Sequence, residues 1–442
     1  MLKRVGDTKE RKVEGIRIAD AKFPAPFASG LEYATPARGT WNIVHTGMLI
    51  PEAHEIFVCA ASCLRGVVLT AAEMHAEERF STVEIKENNL LDGDMEELVI
   101  EGVSDIIEKL PKRPPAVLVY TSCVHHFAGC DLGMIYRELR NRFPDIDFTD
   151  CYMNPIMRKS GLTPDQLMRC RLYMLLKDRP KQDNAVAIIG NDLPTRESSE
   201  LMELLKSNGL KVHEITSCKT YEQYQEMAES SYYISYNAAA VAGGEMLSER
   251  LGGQHVYVPF SFDYEKIDAG FEKIGKALNI EIPDFTEKKK ACDNALKETY
   301  DLIGKTPITI DYTYCPRPLG LAKMLLNAGF SVGKVYVDSI SGEEKADFLF
   351  LQEHYSDLLL YPTVHAGMRF MAKKERTNVL AIGQKAAYFD NTNHFVNVVE
   401  GGGMLGYDAV LNTLKLMREA YLKEKDMRGL IQIKGMGCEG CL

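Results

Sequence analysis

Ala185-Val186-Ala187-Ile188-Ile189-Gly190 is an unbroken apolar run that stops on a glycine. Such a run fits a strand buried on both faces, as in a parallel sheet covered by helices. The residues that follow keep the same rhythm. A helical pattern over 198–207 ends at Asn208-Gly209, a glycine stop. Residues 211–215 read as a second strand, 221–229 as a helix, and Tyr232-Tyr233-Ile234-Ser235 as a third strand. A helix with a small-residue face over 238–251 then leads to the strand His255-Val256-Tyr257-Val258. Strands alternating with helices in this way define a doubly wound parallel unit.

The pattern extends in both directions. Upstream, Pro114-Pro115 punctuates, residues 116–120 read as a buried strand, and residues 132–142 as a helix. The charged stretch 177–184, with Pro180, reads as a linker. Downstream of a charged helix over 285–304, strands are expected at 307–311, 333–337, 358–361 and 379–382, with helices at 319–328 and 407–421. The expected fold class is α/β, with three doubly wound, Rossmann-like parallel-sheet domains in series. They cover 36–178, 185–284 and 305–424, between an N-terminal tail (1–35) and a C-terminal tail (425–442). A chain of 442 residues suits this count, at roughly 150 residues per domain.

Composition narrows the function. Hydrophobic residues make up 45% and charged residues 26%, as in ordinary globular proteins. No apolar run approaches the ~20 residues of a membrane span, and the charged first twelve residues lack the apolar core of a secretion signal. A cytoplasmic protein with no membrane partner is expected. A net charge of −10 argues against nucleic acid, which needs a concentrated basic surface. Lys288-Lys289-Lys290 reads as a solvated helix face. Neither ATP nor NAD binding is expected. Gly190-Asn191-Asp192 lacks the G-x-G-x-x-G spacing, and Gly401-Gly402-Gly403 precedes a helix without the Lys-Ser/Thr of a P-loop. The triple glycine reads as a turn or as a wall beside a cofactor.

The eleven cysteines do not form a disulfide framework in a cytoplasmic chain. Cys151, Cys170, Cys218, Cys292 and Cys315 read as small buried apolar residues. Cys59 and Cys63 differ, because an apolar strand runs through them into small residues and a helix. Cys123 ends another strand in the same manner. Adjacent parallel strands bring such ends to one sheet edge, where ligands of these folds bind. Thiolates favour zinc, copper(I) or iron–sulfur. Cys59-x3-Cys63 could give half of a zinc site, but Cys123-x6-Cys130 is too wide for the other half. His125 and His126 could assist zinc or sit on a polar rim. On residue chemistry alone, an iron–sulfur cluster, zinc, and structural or redox thiols all stand. Cys438-Glu439-Gly440-Cys441 could ligate metal, act as a redox pair, or form no site.

Val119-Tyr120-Thr121-Ser122-Cys123, followed by Gly129-Cys130-Asp131-Leu132, resembles a strand, ligand cysteine and turn of the nitrogenase component 1 superfamily. Phe57 to Cys63 stands where that family carries another ligand turn. Residues 186–209 and 232–259 are similar to its middle domain, and 393–408, ending Gly406-Tyr407-Asp408, to its closing glycine-rich loop. The resemblance covers about 36–424. It implies a nitrogenase-like oxidoreductase subunit holding a four-iron (4Fe–4S) or eight-iron (8Fe–7S-like) iron–sulfur cluster at a subunit interface. Its partners would be an identical or homologous subunit, in a dimer or α2β2 assembly, and an ATP-dependent iron–sulfur reductase. A second metallocofactor or a tetrapyrrole could occupy an interdomain cavity. Cys63 and Cys123 would be metal ligands. Cys59 would replace the first family cysteine, missing near Arg38 to Trp41. Cys130, Cys438 and Cys441 are further metal candidates, Gly401, Gly402 and Gly403 cofactor-wall candidates, and His394 a catalytic candidate. Asn237 stands where the family's dinitrogenase has a cofactor cysteine, so nitrogen fixation with the usual cofactor is not expected. The alternatives are a non-catalytic scaffold for metallocluster assembly, or a colourless α/β protein with structural cysteines.

Overall fold

The computed structural model describes residues 13–28, 30, 43–154, 161–371 and 375–432. A short strand β1 (Ile16–Arg17) precedes three parallel α/β units. The first sheet holds β2 (His54–Ala60), β3 (Phe80–Ile85), β4 (Ala116–Ser122) and β5 (Asp147–Met153), in the order β3-β2-β4-β5. The second holds β6 (Gln182–Ile188), β7 (Lys211–Glu214), β8 (Ser230–Ser235) and β9 (Gln254–Tyr257), in the order β7-β6-β8-β9. The third holds β10 (Pro307–Asp311), β11 (Ser331–Tyr336), β12 (Leu359–Tyr361), β13 (Leu380–Ile382) and β14 (Phe395–Val396). Its order is β1-β12-β11-β10-β13-β14, with β1 antiparallel at the edge. The doubly wound α/β architecture expected from the alternation is the one observed.

The apolar run that opened the reading lies at the centre. Ala185 to Ile189 are fully buried, and burying each Val or Ile side chain contributes about 1.5–3 kcal/mol. In the first sheet, alternate residues face opposite ways. Ile56, Val58, Val117 and Val119 pack with residues of helices Met95–Lys109 and Leu132–Arg142. Phe57, Leu118 and Tyr120 share a cluster with Ala187, Ile189 and Tyr233 of the second domain. The core is therefore continuous across the first domain boundary.

Three segments differ from the expectation. Part of the stretch read as an N-terminal tail is built into the third domain, because β1 pairs with β12 and Ile18 is fully buried. The charged stretch read as a linker already enters β6 at Gln182. Lys181 Nζ is fixed there by Ala228 O and Ser230 O, at 2.8 and 3.1 Å. The lysine run 288–290 is no plain solvated face. Lys288 reaches Glu200 at 3.3 Å and Lys289 reaches Asp268 at 2.5 Å, pinning helix Thr286–Ile303 to the second domain.

Candidate metal centre

In a doubly wound sheet, the chain leaves neighbouring strands in opposite directions at one place and opens a crevice beyond their C-terminal ends. Strand order puts that crevice between β2 and β4 in the first sheet, β6 and β8 in the second, and β10 and β13 in the third. The cysteines singled out in the sequence end the first pair. The parallel register pairs Val58 with Thr121, so the next residues, Cys59 and Ser122, emerge side by side. Cys63 lies in the first turn of helix Ala61–Glu73, and Cys123 opens helix Cys123–Ala128. Below Cys59 on the same face, the Phe57 ring stacks on Tyr120 with centroids 3.9 Å apart, giving the site a stiff floor.

The three thiols are neighbours through space. Cys59 is fully buried, Cys123 half-buried and Cys63 exposed. Burial pushes the Cys59 thiol up to about 12, and the negative charges that Cys63 and Cys123 can carry push the same way. Among the described residues, no three His, Cys, Asp or Glu side chains are close enough to grip a single ion. Cys130 sits apart from this group. It packs half-buried against the core on the other face of the sheet, and burial and the Glu96 charge raise its thiol. Cys438 and Cys441 lie outside the described residues.

His125 was read as a zinc helper or a rim residue. It is instead 1% exposed. The backbone N–H of Ser122 donates to its Nδ1 at 3.1 Å, while Nε2 is buried without a hydrogen-bond partner among the described residues. Buried polar atoms are nearly always paired. The fit of this site to an iron–sulfur group rests on its donor set, three thiols of the soft kind that such groups take.

The other two crevices carry charge rather than thiols. Arg169, on helix Pro164–Met174, is 1% exposed. Its guanidinium donates to Gly190 O at 2.7 Å and to both oxygens of Asp192, at 2.9 and 3.1 Å. Glu400 of the third domain lies within electrostatic reach of it. In the third crevice, Lys385 Nζ donates to Tyr312 Oη at 2.6 Å and Thr363 Oγ1 at 2.9 Å. Asp311 accepts from the amides of Thr313 and Ala386, both at 2.7 Å. A Cβ on Gly383 would fall 2.3 Å from the Asp311 carboxylate, so only glycine fits there. Sequence reasoning passed over Arg169, Asp192, Asp311 and Lys385.

The triple glycine is a clasp between domains. Glu400, Gly401, Gly402 and Gly403 have φ of 51°, 73°, 56° and 69°, a left-handed run that glycine adopts freely. The Glu400 and Gly401 amides bind Thr313 O and Tyr314 O, at 2.9 and 2.8 Å, and the Arg196 amide of the second domain binds Gly403 O at 2.9 Å. His394 lies at the N-terminal end of β14. Its Nδ1 is 2.9 Å from Ala420 O and its Nε2 3.7 Å from Glu424. Asn237, expected from the resemblance at the position of a cofactor cysteine, spends its side chain on the backbone. It donates to Gly190 O at 3.2 Å and accepts from the Ala239 amide at 3.0 Å.

Three serial doubly wound domains, with cysteines at the first crevice and a charged junction between the others, define a multidomain α/β protein. The sequence profile described as "Nitrogenase component 1 type Oxidoreductase" matches residues 44–420, and the chain belongs to that family. Membership implies iron–sulfur chemistry. No curated protein matches the chain by sequence. Among solved structures, "Nitrogenase Cp1 at pH 6.5" is similar with a TM-score of 0.64 at 12% identity, covering 94% of this chain and 95% of that one. "Nitrogenase Cp1 at pH 5" follows at 0.54 and 12% identity, covering 88% and 90%. At that identity the likeness is one of fold. No helix among the described residues is long and apolar enough to cross a membrane.

Proposed function

We propose that this chain is a component-1-type subunit of a cytoplasmic nitrogenase-like reductase, with an iron–sulfur cluster held by Cys59, Cys63 and Cys123. It would take single electrons from an ATP-hydrolysing iron–sulfur reductase and deliver them to a substrate or cofactor at the three-domain junction. The observation that carries this reading is the approach of Cys123 to the sequence-distant pair Cys59 and Cys63 at the β2/β4 crevice. The cluster, when bound, supplies the one-electron relay.

The polypeptide's part follows from its placement. Cys59 anchors from the core, and its raised thiol gives up its proton only when metal binding drives the loss. Cys63 and Cys123 hold from nearer the surface, at the starts of helices Ala61–Glu73 and Cys123–Ala128. The helices bearing these two cysteines also expose Val68, Leu69 and Phe127, at 43%, 40% and 71%. Apolar side chains displayed beside the thiols suit coverage by a second, identical or homologous subunit. At the junction, Lys385 Nζ and Tyr312 Oη, both bearers of exchangeable protons, are hydrogen-bonded at 2.6 Å.

A scaffold that carries a cluster precursor without turnover is the second reading, favoured by one observation. Asn237 is committed to backbone hydrogen bonds, so that position offers a second cofactor no thiol. Turnover with ATP and a cognate reductase separates the two readings. The first test is oxygen-free purification with a visible spectrum and counts of iron and acid-labile sulfide. About four irons per chain indicates an eight-iron cluster shared between two chains, and about two a shared four-iron cluster. A protein that stays colourless and iron-free after reconstitution rules out the cluster.

A further inference from the structure

We infer that Tyr312 gives up the proton that accompanies each electron reaching the guest at the junction, and that this guest carries its reducible bond at an oxygen or nitrogen atom. The inference rests on the electron delivery proposed above and adds a catalytic residue to it.

The third sheet builds the site one strand at a time. Strands β10 to β14 run parallel to one another. Each is followed within four residues by a polar side chain, in turn Tyr312, Asp338, Thr363, Lys385 and Glu400. Ligands of doubly wound folds bind beyond such strand ends. The first four side chains form one chain of hydrogen bonds. Lys385 Nζ donates to Tyr312 Oη at 2.6 Å and to Thr363 Oγ1 at 2.9 Å, and Thr363 Oγ1 donates in turn to Asp338. Thr363 and Lys385 are the buried members, at 0% and 1% exposure, whereas Tyr312, Asp338 and Glu400 are half-buried. Glu400 acts electrostatically on Tyr312 as well as on Arg169. That shared neighbour sets the phenol on the side of its crevice that meets the second one.

The chemistry of the pair selects the donor. An ammonium carries no lone pair, so Lys385 donates and Tyr312 Oη accepts. The phenol's own hydrogen is thereby turned away from Lys385. The ammonium also stands 4.7 Å from the centre of the Tyr312 ring, where it stabilises the phenolate left when that hydrogen departs. Burial, then the Asp338 charge, keeps the phenol protonated at rest. A phenol donates to lone pairs of oxygen or nitrogen, which is why the guest must present one. Each step then balances. One electron arrives from the cluster, the Tyr312 O–H bond breaks, and an O–H or N–H bond forms on the guest. The phenolate takes a proton from Lys385, and Lys385 is refilled from solvent by way of Asp338 and Thr363. One solvent proton is consumed per electron.

The test supplies the cluster-loaded protein with ATP and its reductase, and offers hydroxylamine as the probe. Its N–O bond takes two electrons and two protons to give ammonia and water. Ammonia formed above the level of the reductase alone is measured for wild type and Tyr312→Phe, with iron counted in both. Phenylalanine keeps the ring and loses only the hydroxyl. The expected result is a kcat lowered about 100-fold, the size of a lost general acid, with KM changed less than about twofold and the iron count kept. Replacing Tyr312 by 3-fluorotyrosine, which has nearly the same shape and a more acidic phenol, should instead form ammonia about threefold faster. That protein decides alone if Tyr312→Phe does not fold. A Tyr312→Phe kcat within about twofold of wild type, or a fluorinated protein no faster than wild type, overturns the inference. So does a wild type that holds iron and forms no ammonia. A wild type that takes up no iron refutes the cluster reading itself, which keeps the two failures apart.

Discussion

Replacing Arg169 by Met should unlock the joint between the first and second domains without disturbing the proposed metal centre. Methionine matches much of the arginine's volume, so packing is largely kept and the loss reports on charge. In the native chain the guanidinium binds Asp192 in a fork at 2.9 and 3.1 Å, and Asp165 at 3.3 Å. The Asp192 side chain is 5% exposed and that of Asp165 24%. Removing the cation strands the Asp192 charge away from water, which costs about 3–5 kcal/mol for a buried pair. Asp165 is more hydrated, so its share is below about 1 kcal/mol. Urea unfolding of Arg169→Met should therefore show a loss of about 4 kcal/mol at unchanged slope. Adding Asp192→Asn, which leaves no buried charge, should recover at least about half of it. The iron count should stay at the wild-type value, since the thiols stand at a different crevice. A loss below about 1 kcal/mol, or no recovery in the double variant, would refute the claim that this pair fastens the joint.

Two further perturbations probe the third domain. Gly403→Ala places a Cβ 2.0 Å from Pro194 O at a φ of 69°. The left-handed conformation alone costs about 1–2 kcal/mol, and a backbone carbonyl must also move, so a loss of about 3 kcal/mol is expected, with faster hydrogen exchange at the Arg196 amide. An alanine variant with wild-type exchange there would mean that the clasp is open in solution. Glu344 is 2% exposed, and burial raises its carboxyl from 4.5 to about 7 despite the amides of Leu319 and Gly320. A raised carboxyl favours the fold fully below pH 4.5, and that advantage is lost as pH climbs through 7. The difference of about 2.5 units is worth about 3 kcal/mol. Wild type should lose that much between pH 4.5 and 8 relative to Glu344→Gln, and a pH-independent difference between the two proteins would count against it.

The second domain was legible almost element by element, because strands buried on both faces leave continuous apolar runs and Asn208-Gly209 marks a helix end. The third sheet's edges were not. β1 and β14 are two residues each, too short for any periodicity, and β1 is defined by pairing with Leu359 and Leu360 far along the chain. The ion pairs of Lys288 and Lys289 likewise depend on what tertiary packing brings opposite a helix. At the candidate metal centre, the position of each cysteine at a strand end could be read, whereas their adjacency depends on β2 lying beside β4. Arg169 had no local marker, being one basic residue inside a helix. Asp192 and Lys385 did have one: each stands two residues after a strand-end glycine, Gly190 and Gly383, the place where a doubly wound fold turns side chains into its crevice.

The two kinds of crevice divide the proposed labour on chemical grounds. The first crevice offers soft thiols, which suit iron and sulfide. The junction of the second and third crevices offers Arg169, Asp192, Glu400, Lys385 and Tyr312, hard polar groups held in mutual hydrogen bonds and ion pairs. A metal centre bound through sulfur would find at Asn237 an amide already committed to Gly190 O and the Ala239 amide. A guest at the junction would instead be recognised by exchanging hydrogen bonds with groups such as Lys385 Nζ, and would bring its own reducible bond or metal. Under the proposed function, electrons arrive from the thiol side and protons are at hand on the polar side. The polypeptide between them, stiffened by the Phe57–Tyr120 stack and fastened by Arg169, keeps the two at a fixed separation.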